Sequence, residues 1–375
     1  MRFALVALLA LHGLIHVMGF AKAFELAALP QLAVPISRPL GIAWLLAAVL
    51  FLVAAVLLGV GVRGVWALPG LAAVILSQYV IVRSWGDAKV GTVANLLVLL
   101  PILVATLDLR PSSLHSLYRA QARQSVTSAG GSRIEEADLG PLPDAVRRYL
   151  RQAGVVGKPR VRSVRARFSG GMRSSHDGGF MTFTSEQVNV FAPAARYFFM
   201  EASLRGVPFA ALHRFEAGRA TMDVRIASVI PMIHAEGKEM NQSETVTLFN
   251  DLCILAPAAL VDATASGAIR WTEVDAHVVD ARFENAGQVI GARLTFDDAF
   301  QLTGFVSEDR YQSEDGVHFQ RYPWSTPLRD YRDFGGVRLA SHGDATWIEP
   351  GGTFVYGRFD LQEVSYDAEL PTAGR

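Results

Sequence analysis

The sequence predicts an α-helical membrane bundle of four spans, followed by an α+β domain in which a large curved antiparallel sheet or open barrel holds one inserted helix. Long apolar segments are confined to residues 1–110 and have the length that crosses a bilayer. After residue 160, polar and apolar residues partly alternate in short runs rich in Val, Phe, Tyr and Thr. That pattern is typical of strands with one buried face. A single compact core does not accommodate 375 residues, so two parts are expected.

Charge is divided between these parts. Residues 1–110 contain seven Lys/Arg and three Asp/Glu, a net charge of +4, and the rest of the neutral chain therefore carries −4. Neither part has the basic excess that binding to a phosphate backbone requires, so no nucleic-acid partner is expected. Cys253 is the single cysteine, which excludes an intrachain disulfide.

Each predicted span is close to the ~20 apolar residues needed to cross a bilayer as a helix. The spans are Phe3–Phe20, Leu40–Gly61, Val65–Val82 and Thr92–Leu107. The opening residues also resemble a signal peptide. Because His12, Gly13 and His16 interrupt the apolar run, we expect a retained span rather than a cleaved one.

Basic residues flank the predicted spans on both sides of the membrane. If four helices cross, five basic residues share the side of the C-terminal domain and four lie opposite. The first group is Arg2, Arg63, Arg110, Arg119 and Arg123, and the second is Lys22, Arg38, Arg83 and Lys89. Since basic residues concentrate on the cytoplasmic side, the count favours a cytoplasmic C-terminal domain.

Two histidines lie within the first predicted span. His12 and His16 are four residues apart and so share one helical face. Ionisable groups in a membrane are often functional, which suggests a proton, quinone or metal site. The alternative is a pair of hydrogen bonds between helices, with Gln78 or Asn95 as partner. A haem bridging two helices is disfavoured, because the other predicted spans contain no histidine.

The domain boundary is predicted after the fourth span. Residues 111–140 are interpreted as a juxtamembrane helix and a polar, Gly-rich linker, with a protease-sensitive point near Ala129–Ser132. Residues 141–367 form the β domain, which opens with a short amphipathic helix, and residues 368–375 form a tail.

A helix is predicted near residues 241–262, between strands. Asn241 followed by Glu244 resembles a capping box, and an apolar face that includes Phe249 then continues to Pro257. In one interpretation Glu244 caps the helix, while Asn250 and Asp251 form a solvent-facing turn. In the other, the helix lies against the concave face of the sheet, Phe249 walls a cavity, and Glu244 meets Arg310 at the cavity mouth.

Several segments resemble an uncharacterised bacterial family in which a domain of unknown function follows N-terminal membrane helices. They are "GKEMNQSETVTLFNDLCILAP", "FVSEDRY", "YPWSTPLRDYRDFGGVRLASHGDATW" and "FVYGRFDLQEVSY", and the resemblance covers most of residues 141–367. The segment "HGLIHVMGFAKAF" resembles the membrane part of such proteins. The resemblance implies a multi-pass protein of the bacterial inner (cytoplasmic) membrane but no activity.

A looser resemblance concerns the segment "YRDFGGVRLASHGDATW". It is similar to a strand, Gly turn and strand near the end of the lipoprotein-carrier and related lipid-binding half-barrels. That resemblance implies a curved sheet that holds an acyl chain. The chain departs from those carriers in its four predicted spans and its polar helix.

The sequence contains no catalytic or cofactor motif in the structural context that such a motif requires. The run "GVGVRG" matches a dinucleotide fingerprint but ends a predicted span with no preceding strand. No Walker loop, HExxH, CxxC or G-x-S-x-G motif occurs in the sequence. We therefore expect neither a cofactor nor a metal, and we assign no catalytic residue.

A set of polar and aromatic residues marks the candidate site. Its members are His234, Glu236, Asn241, Glu244, Asn250, Asp251, Asp309, Arg310, Tyr311 and Trp324, together with Phe249. Arg310 is suited to pairing with a carboxylate or holding an anionic head group. The alternative is a structural ion pair between helix and sheet, with the tryptophan in an ordinary aromatic core.

Two functional classes follow from this set. The first is a membrane-tethered module that binds a lipid or other hydrophobic molecule. The second is an enzyme acting on such a molecule, with Glu244 or Asp309 as acid or base and Arg310 holding an anionic group. The first is favoured because a curved sheet needs no catalytic group. Whether the helices mediate a homo-oligomer stays open.

Overall fold

A computed structural model describes residues 2–61, 64–125, 131–204, 207–227 and 229–368. The chain divides into two compact units, Met1–Ser116 and Leu117–Leu370. Half of the predicted protease-sensitive point, and all but one residue of the predicted tail, lie outside the described residues.

The first unit is helical. Its helices are α1 (Arg2–Ala23), α2 (Arg38–Val60), α3 (Ala67–Arg83), α4 (Trp85–Ala88) and α5 (Gly91–Asp108). Among the described residues, three helices are long and apolar enough to cross a membrane, namely α1, α2 and α5. Helix α3 is apolar but has 17 residues, because it begins only at Ala67. Three candidate spans are thus found, and a fourth crossing by α3 stays a prediction.

Polar side chains connect three of these helices. His12 Nε2 lies 2.9 Å from Asn95 Oδ1, and His16 Nε2 lies 2.8 Å from Ser77 Oγ. Asn95 also donates from Nδ2 to Gln78 Oε1 at 3.0 Å. The histidine pair therefore takes part in hydrogen bonds between helices, which satisfies polar groups that are costly to leave unpaired in an apolar surrounding.

Glycine allows α1 and α2 to approach closely. A Cβ atom added at Gly19 would lie 2.2 Å from the ring of Trp44, whereas one added at Gly59 would meet nothing within 4 Å. We expect Gly19→Val to destabilise the helical unit by ~1–3 kcal/mol, the usual cost of overpacking. Thermal unfolding in detergent, followed by circular dichroism, measures the effect. Gly59→Val is the matched control, and an equal loss in both variants would contradict the packing argument.

The second unit combines helices with a large sheet. Its helical segments are α6 (Leu114–Ser125), a 3-10 helix (Glu136–Leu139), α7 (Asp144–Gln152), α8 (Lys238–Leu255) and α9 (Ala259–Ala265). The strands before α8 are β1 (Ser163–Met172), β2 (Met181–Phe191), β3 (Ala194–Leu204), β4 (Val207–Glu216), β5 (Arg219–Ile226) and β6 (Ile230–Glu236). The strands after α9 are β7 (Ile269–Asp275), β8 (Val278–Asn285), β9 (Gln288–Phe296), β10 (Leu302–Ser307), β11 (Tyr311–Gln312), β12 (Gln320–Arg321), β13 (Trp324–Asp333), β14 (Arg338–Glu349) and β15 (Gly352–Tyr366).

Thirteen strands from the described residues form one antiparallel sheet in the order β6-β5-β4-β3-β2-β1-β15-β14-β13-β10-β9-β8-β7. Strands β1–β6 form one meander, and strands β7–β10 and β13–β15 supply the other half, with β1 paired to β15 where the halves meet. Strands β11 and β12 form a separate two-stranded sheet. The edge strands β6 and β7 are not neighbours, so the sheet is not a closed barrel. The fold-class prediction is therefore confirmed as apolar N-terminal helices plus a large antiparallel sheet.

The topology determines the position of α8. Strands β6 and β7 are opposite edges of the sheet, and α8 and α9 form the connection between them. Helix α8 consequently crosses the face of the sheet and contacts β5 and β6 in one half and β9, β10 and β14 in the other. Because both halves touch one helix, the sheet must curve around it.

The boundaries of the inserted helix differ from the prediction. Helix α8 begins at Lys238 after Gly237, whose φ of 110° favours glycine, and ends at Leu255. Asn241 does not cap it: its Oδ1 accepts the backbone N–H of Ala220 at 2.7 Å. The predicted capping box is thus wrong, because the asparagine joins the helix to β5.

Candidate ligand-binding cavity

A cavity of about 700 Å³ lies in the second unit, between α8 and both halves of the sheet. This volume falls within the ~300–1,000 Å³ typical of small-molecule sites. Aromatic and aliphatic side chains supply most of the lining, including Phe168, Phe198, Met200, Phe209, Met222, Trp324, Trp347 and Phe359. The cavity therefore offers an apolar environment with a restricted set of polar groups.

One face of α8 contributes a stripe of polar groups to the lining. The residues of α8 that line the cavity up to Ile254 are spaced three or four apart, which places them in one stripe. They are Met240, Ser243, Glu244, Thr247, Asn250, Asp251 and Ile254. Asn250 and Asp251 are buried within the helix, so their interpretation as a solvent-facing turn is wrong. Helix α8 turns its polar face inward.

The opposite face of α8 packs in the hydrophobic core. Phe249 is 0% exposed and stacks on Phe283 with ring centres 4.9 Å apart. Its ring also contacts Phe305 edge-on at 5.7 Å. Phe249 is not part of the cavity lining. The prediction that it walls the cavity is wrong, because the polar stripe occupies the face that looks into the cavity.

Arg196 of β3 joins the two acidic residues of the stripe. Its Nη1 donates to Glu244 Oε2 at 3.0 Å, and its Nε donates to Asp251 Oδ2 at 2.7 Å. The side chains of all three residues are less than 10% exposed. The predicted Glu244–Arg310 ion pair is thus wrong, and Arg196 is the arginine that Glu244 binds.

Three further side chains complete this buried network. Gln187 and Asn189 of β2 donate to Asp251 Oδ2 at 3.0 and 2.9 Å. His213 of β4 donates from Nδ1 to Glu244 Oε1 at 3.1 Å. Charge-assisted bonds of this kind offset the cost of burying charge only when partners are complete, and here each carboxylate has several donors.

The network controls the protonation of Glu244. Burial alone would raise the pKa of this carboxyl, but the positive charge of Arg196, the hydrogen bond and charge of His213, and the charge of Arg310 outweigh it. The pKa of Glu244 is lowered to about 2. Glu244 is therefore an anion at neutral pH and is committed to its partners.

Arg310 lies in the cavity wall among aromatic rings. Its guanidinium carbon is 4.2 Å from the ring centre of Trp324 and 5.2 Å from that of Trp347, distances at which cation–π attraction operates. Its Nη1 donates to the hydroxyl of Tyr356 at 2.8 Å, and Trp324 Nε1 donates to the same oxygen at 3.1 Å. Among the described residues Arg310 forms no ion pair within 4.0 Å.

The other predicted site residues lie in different places. His234 Nδ1 bonds Asp223 at 2.9 Å, and Glu236 lies 3.7 Å from His234; neither lines the cavity. Asp309 accepts the backbone N–H of Gly291 and pairs with Arg321, also outside the lining. Tyr311 lines the cavity, and its backbone N–H donates to Ser243 Oγ at 2.9 Å.

Three buried polar atoms of the lining have no hydrogen-bond partner among the residues that the structure describes. They are Asn250 Oδ1, Arg310 Nε and Thr326 Oγ1. Buried polar atoms are rarely left unpaired, and such atoms mark points at which water or a ligand can bind. Within the described ranges, no three His, Cys, Asp or Glu side chains come together as metal ligands.

The sequence matches one described family over this unit. Residues 132–359, more than half of the chain, match the family of unknown function DUF6544, and the chain belongs to that family. The resemblance to an uncharacterised family is thereby confirmed. No protein with curated function matches the chain.

One similar solved structure is a DUF1329 family protein from Desulfovibrio piger. The two sequences are 10% identical, the match covers 64% of this chain and 96% of that chain, and the TM-score is 0.34. A likeness at this level supports no functional argument. The family and the structural comparison thus leave the activity to be inferred from the cavity itself.

Proposed function

We propose that the second unit binds a lipid or another hydrophobic molecule in the cavity beside α8, and that the preceding apolar helices tether it to a membrane. The observation that carries this proposal is the cavity of about 700 Å³ with its mainly apolar lining. Burying an acyl chain there would gain roughly 25 cal/mol per Å² of apolar surface. The same proposal includes that the membrane is the inner membrane of a bacterium and that the second unit lies in the cytoplasm.

Blocking the cavity tests this function. Ala211 of β4 is buried and lines the cavity. We expect Ala211→Phe to reduce several-fold the lipid that copurifies with the full-length protein, because the added ring occupies the space that the acyl chain needs. Mass spectrometry of molecules extracted from gently purified protein gives the measurement.

The control for this variant adds the same ring outside the cavity. Val289 of β9 is 40% exposed, so Val289→Phe should leave the copurified lipid unchanged. Circular dichroism confirms that both variants are folded. Finding no hydrophobic molecule in the unaltered protein, or an equal amount in the folded Ala211→Phe variant, would refute the binding function.

The enzyme alternative has less support. Both oxygens of Glu244 accept hydrogen bonds from cationic or imidazole donors, and its low pKa keeps it from acting as a general acid near neutral pH. Asp309 lies outside the cavity lining and is paired with Arg321. A general acid or base must reach the reacting group, and neither candidate is placed or free to do so.

A further inference from the structure

Arg310 presents an unused hydrogen-bonding edge in an apolar cavity. Its Nη1 bonds Tyr356, whereas Nε is buried without a partner and Nη2 forms no hydrogen bond with a described residue. The Nε and Nη2 hydrogens of a guanidinium lie parallel along one edge, the geometry that binds a carboxylate through both oxygens. The rings of Trp324 and Trp347 flank the guanidinium of Arg310 and hold it in place.

The hydroxyl of Tyr356 adds a further donor beside this edge. Its oxygen accepts one bond from Arg310 and one from Trp324, which uses both of its acceptor positions. The phenolic hydrogen is therefore left to donate, and Tyr356 lines the cavity. Together the two side chains supply three hydrogen-bond donors with no described acceptor.

The charged side chains of the lining balance one another. Three arginines of the described lining, Arg173, Arg196 and Arg310, are matched by two buried carboxylates, Glu244 and Asp251, and one further carboxylate. A third carboxylate of the lining, that of Glu314, is exposed to solvent.

The hydrogen bonds of each arginine show which one keeps an edge open to a ligand. Arg196 is occupied by both buried carboxylates, and Arg173 donates to the backbone carbonyls of Val355 and His176. Arg310 is the lining arginine that keeps an open edge. Because an unpaired charge in an apolar wall is costly, a monoanion bound to Arg310 would stabilise the site.

We propose that the cavity selects amphiphiles with a terminal carboxylate, whose head group binds the Nε–Nη2 edge of Arg310 and the hydroxyl of Tyr356 while the acyl chain lies along the apolar lining. This proposal rests on the proposed function and specifies its ligand class. A carboxylate fits better than a phosphate monoester, since one guanidinium edge with one positive charge matches one planar monoanion.

Photolabelling of the full-length protein in phosphatidylcholine nanodiscs tests the selection. The probes are hexadecanoic acid with a mid-chain diazirine and the matching hexadecanol, and mass spectrometry maps the crosslinked residues. We expect labelling of cavity residues by the acid to reach half-saturation at a concentration about ten- to a hundredfold lower than labelling by the alcohol. A charged hydrogen bond raises affinity by about this factor.

Variants locate the origin of that preference. Arg310→Met should abolish the difference between acid and alcohol while the alcohol still labels the cavity, which shows that the variant is folded. Arg310→Lys keeps the charge without the two-hydrogen edge and should retain only part of the preference. Arg293→Met, at an exposed arginine paired with Asp280 outside the lining, should retain all of it.

Each result decides between the two proposals. Equal labelling by acid and alcohol in the unaltered protein, or an intact preference in Arg310→Met, would overturn the carboxylate proposal and leave hydrophobic binding in place. Labelling of the cavity by neither probe would overturn both.

Discussion

Arg196→Met is expected to destabilise the second unit by ~3–5 kcal/mol, the usual effect of removing one partner from a buried ion pair. The substitution would leave Glu244 and Asp251 buried without the cation that bonds both of them. Urea unfolding of the full-length protein in mild detergent, followed by tryptophan fluorescence, measures the change. Arg293→Met is the matched control, because its exposed ion pair contributes at most about 1 kcal/mol.

A compensating variant separates lost charge from lost packing. Combining Arg196→Met with Glu244→Gln and Asp251→Asn removes the two buried negative charges that the single variant leaves unpaired. We expect this triple variant to recover most of the lost free energy of unfolding, since neighbouring sites of one network are not additive. An Arg196→Met variant as stable as Arg293→Met would show that the buried network contributes little.

Acid is expected to weaken the same unit through Glu244. Its pKa is about 2 in the folded protein against an ordinary value of 4.5, so its contribution is complete above pH 4.5 and disappears as the pH falls towards 2. The lowered pKa corresponds to about 3 kcal/mol at neutral pH. Arg196, which bonds Glu244, stays positively charged over this interval because a guanidinium is not deprotonated in proteins.

Comparison of variants isolates this contribution from that of other carboxylates. The difference in free energy of unfolding between the unaltered protein and Glu244→Gln should be largest above pH 4.5 and shrink as the pH approaches 2. Glu284→Gln, at an exposed position of β8, should show no such change. A constant difference for Glu244→Gln across this range would mean that Glu244 is not anionic in the folded state.

Local patterns in the sequence predicted the elements better than their contacts. Apolar length identified the helices of the first unit, and alternation identified the sheet. Gln78 and Asn95 were also identified as possible partners of the histidines, because polar residues in neighbouring apolar helices have few others. Asn95 bonds His12 directly, and Gln78 bonds Asn95.

The inward stripe of α8 shows where such reasoning fails. The spacing of Ser243, Glu244, Thr247, Asn250 and Asp251 is visible in the sequence and indicates one helical face. Polar faces usually point to water, so one interpretation of the pattern is a cap and an exposed turn, and the other places the apolar face with Phe249 against the cavity. The polar face points inward because α8 connects the two edge strands and so lies across the sheet. This position follows from the order of the strands in the sheet, which the local sequence pattern does not show.

The partner of Glu244 could not be predicted from the local sequence for a related reason. Arg196 is 48 residues away in the sequence and lies in a largely apolar strand. A useful signal was available there: an arginine within a strongly apolar strand requires a buried partner of opposite charge. Arg310 is one of the predicted site residues, and its neighbours are tryptophans and Tyr356 rather than Glu244.

The pairing of β1 with β15 also has a consequence for biogenesis. Chains fold from the N-terminus as they are synthesised, so the meander β1–β6 can form while its β1 edge has no neighbour. That edge is covered only when residues 352–366 arrive. Until then β1 offers unpaired backbone groups to any other nascent chain. The exposure of the β1 edge thus ends only once strand β15 has been synthesised and has paired with it.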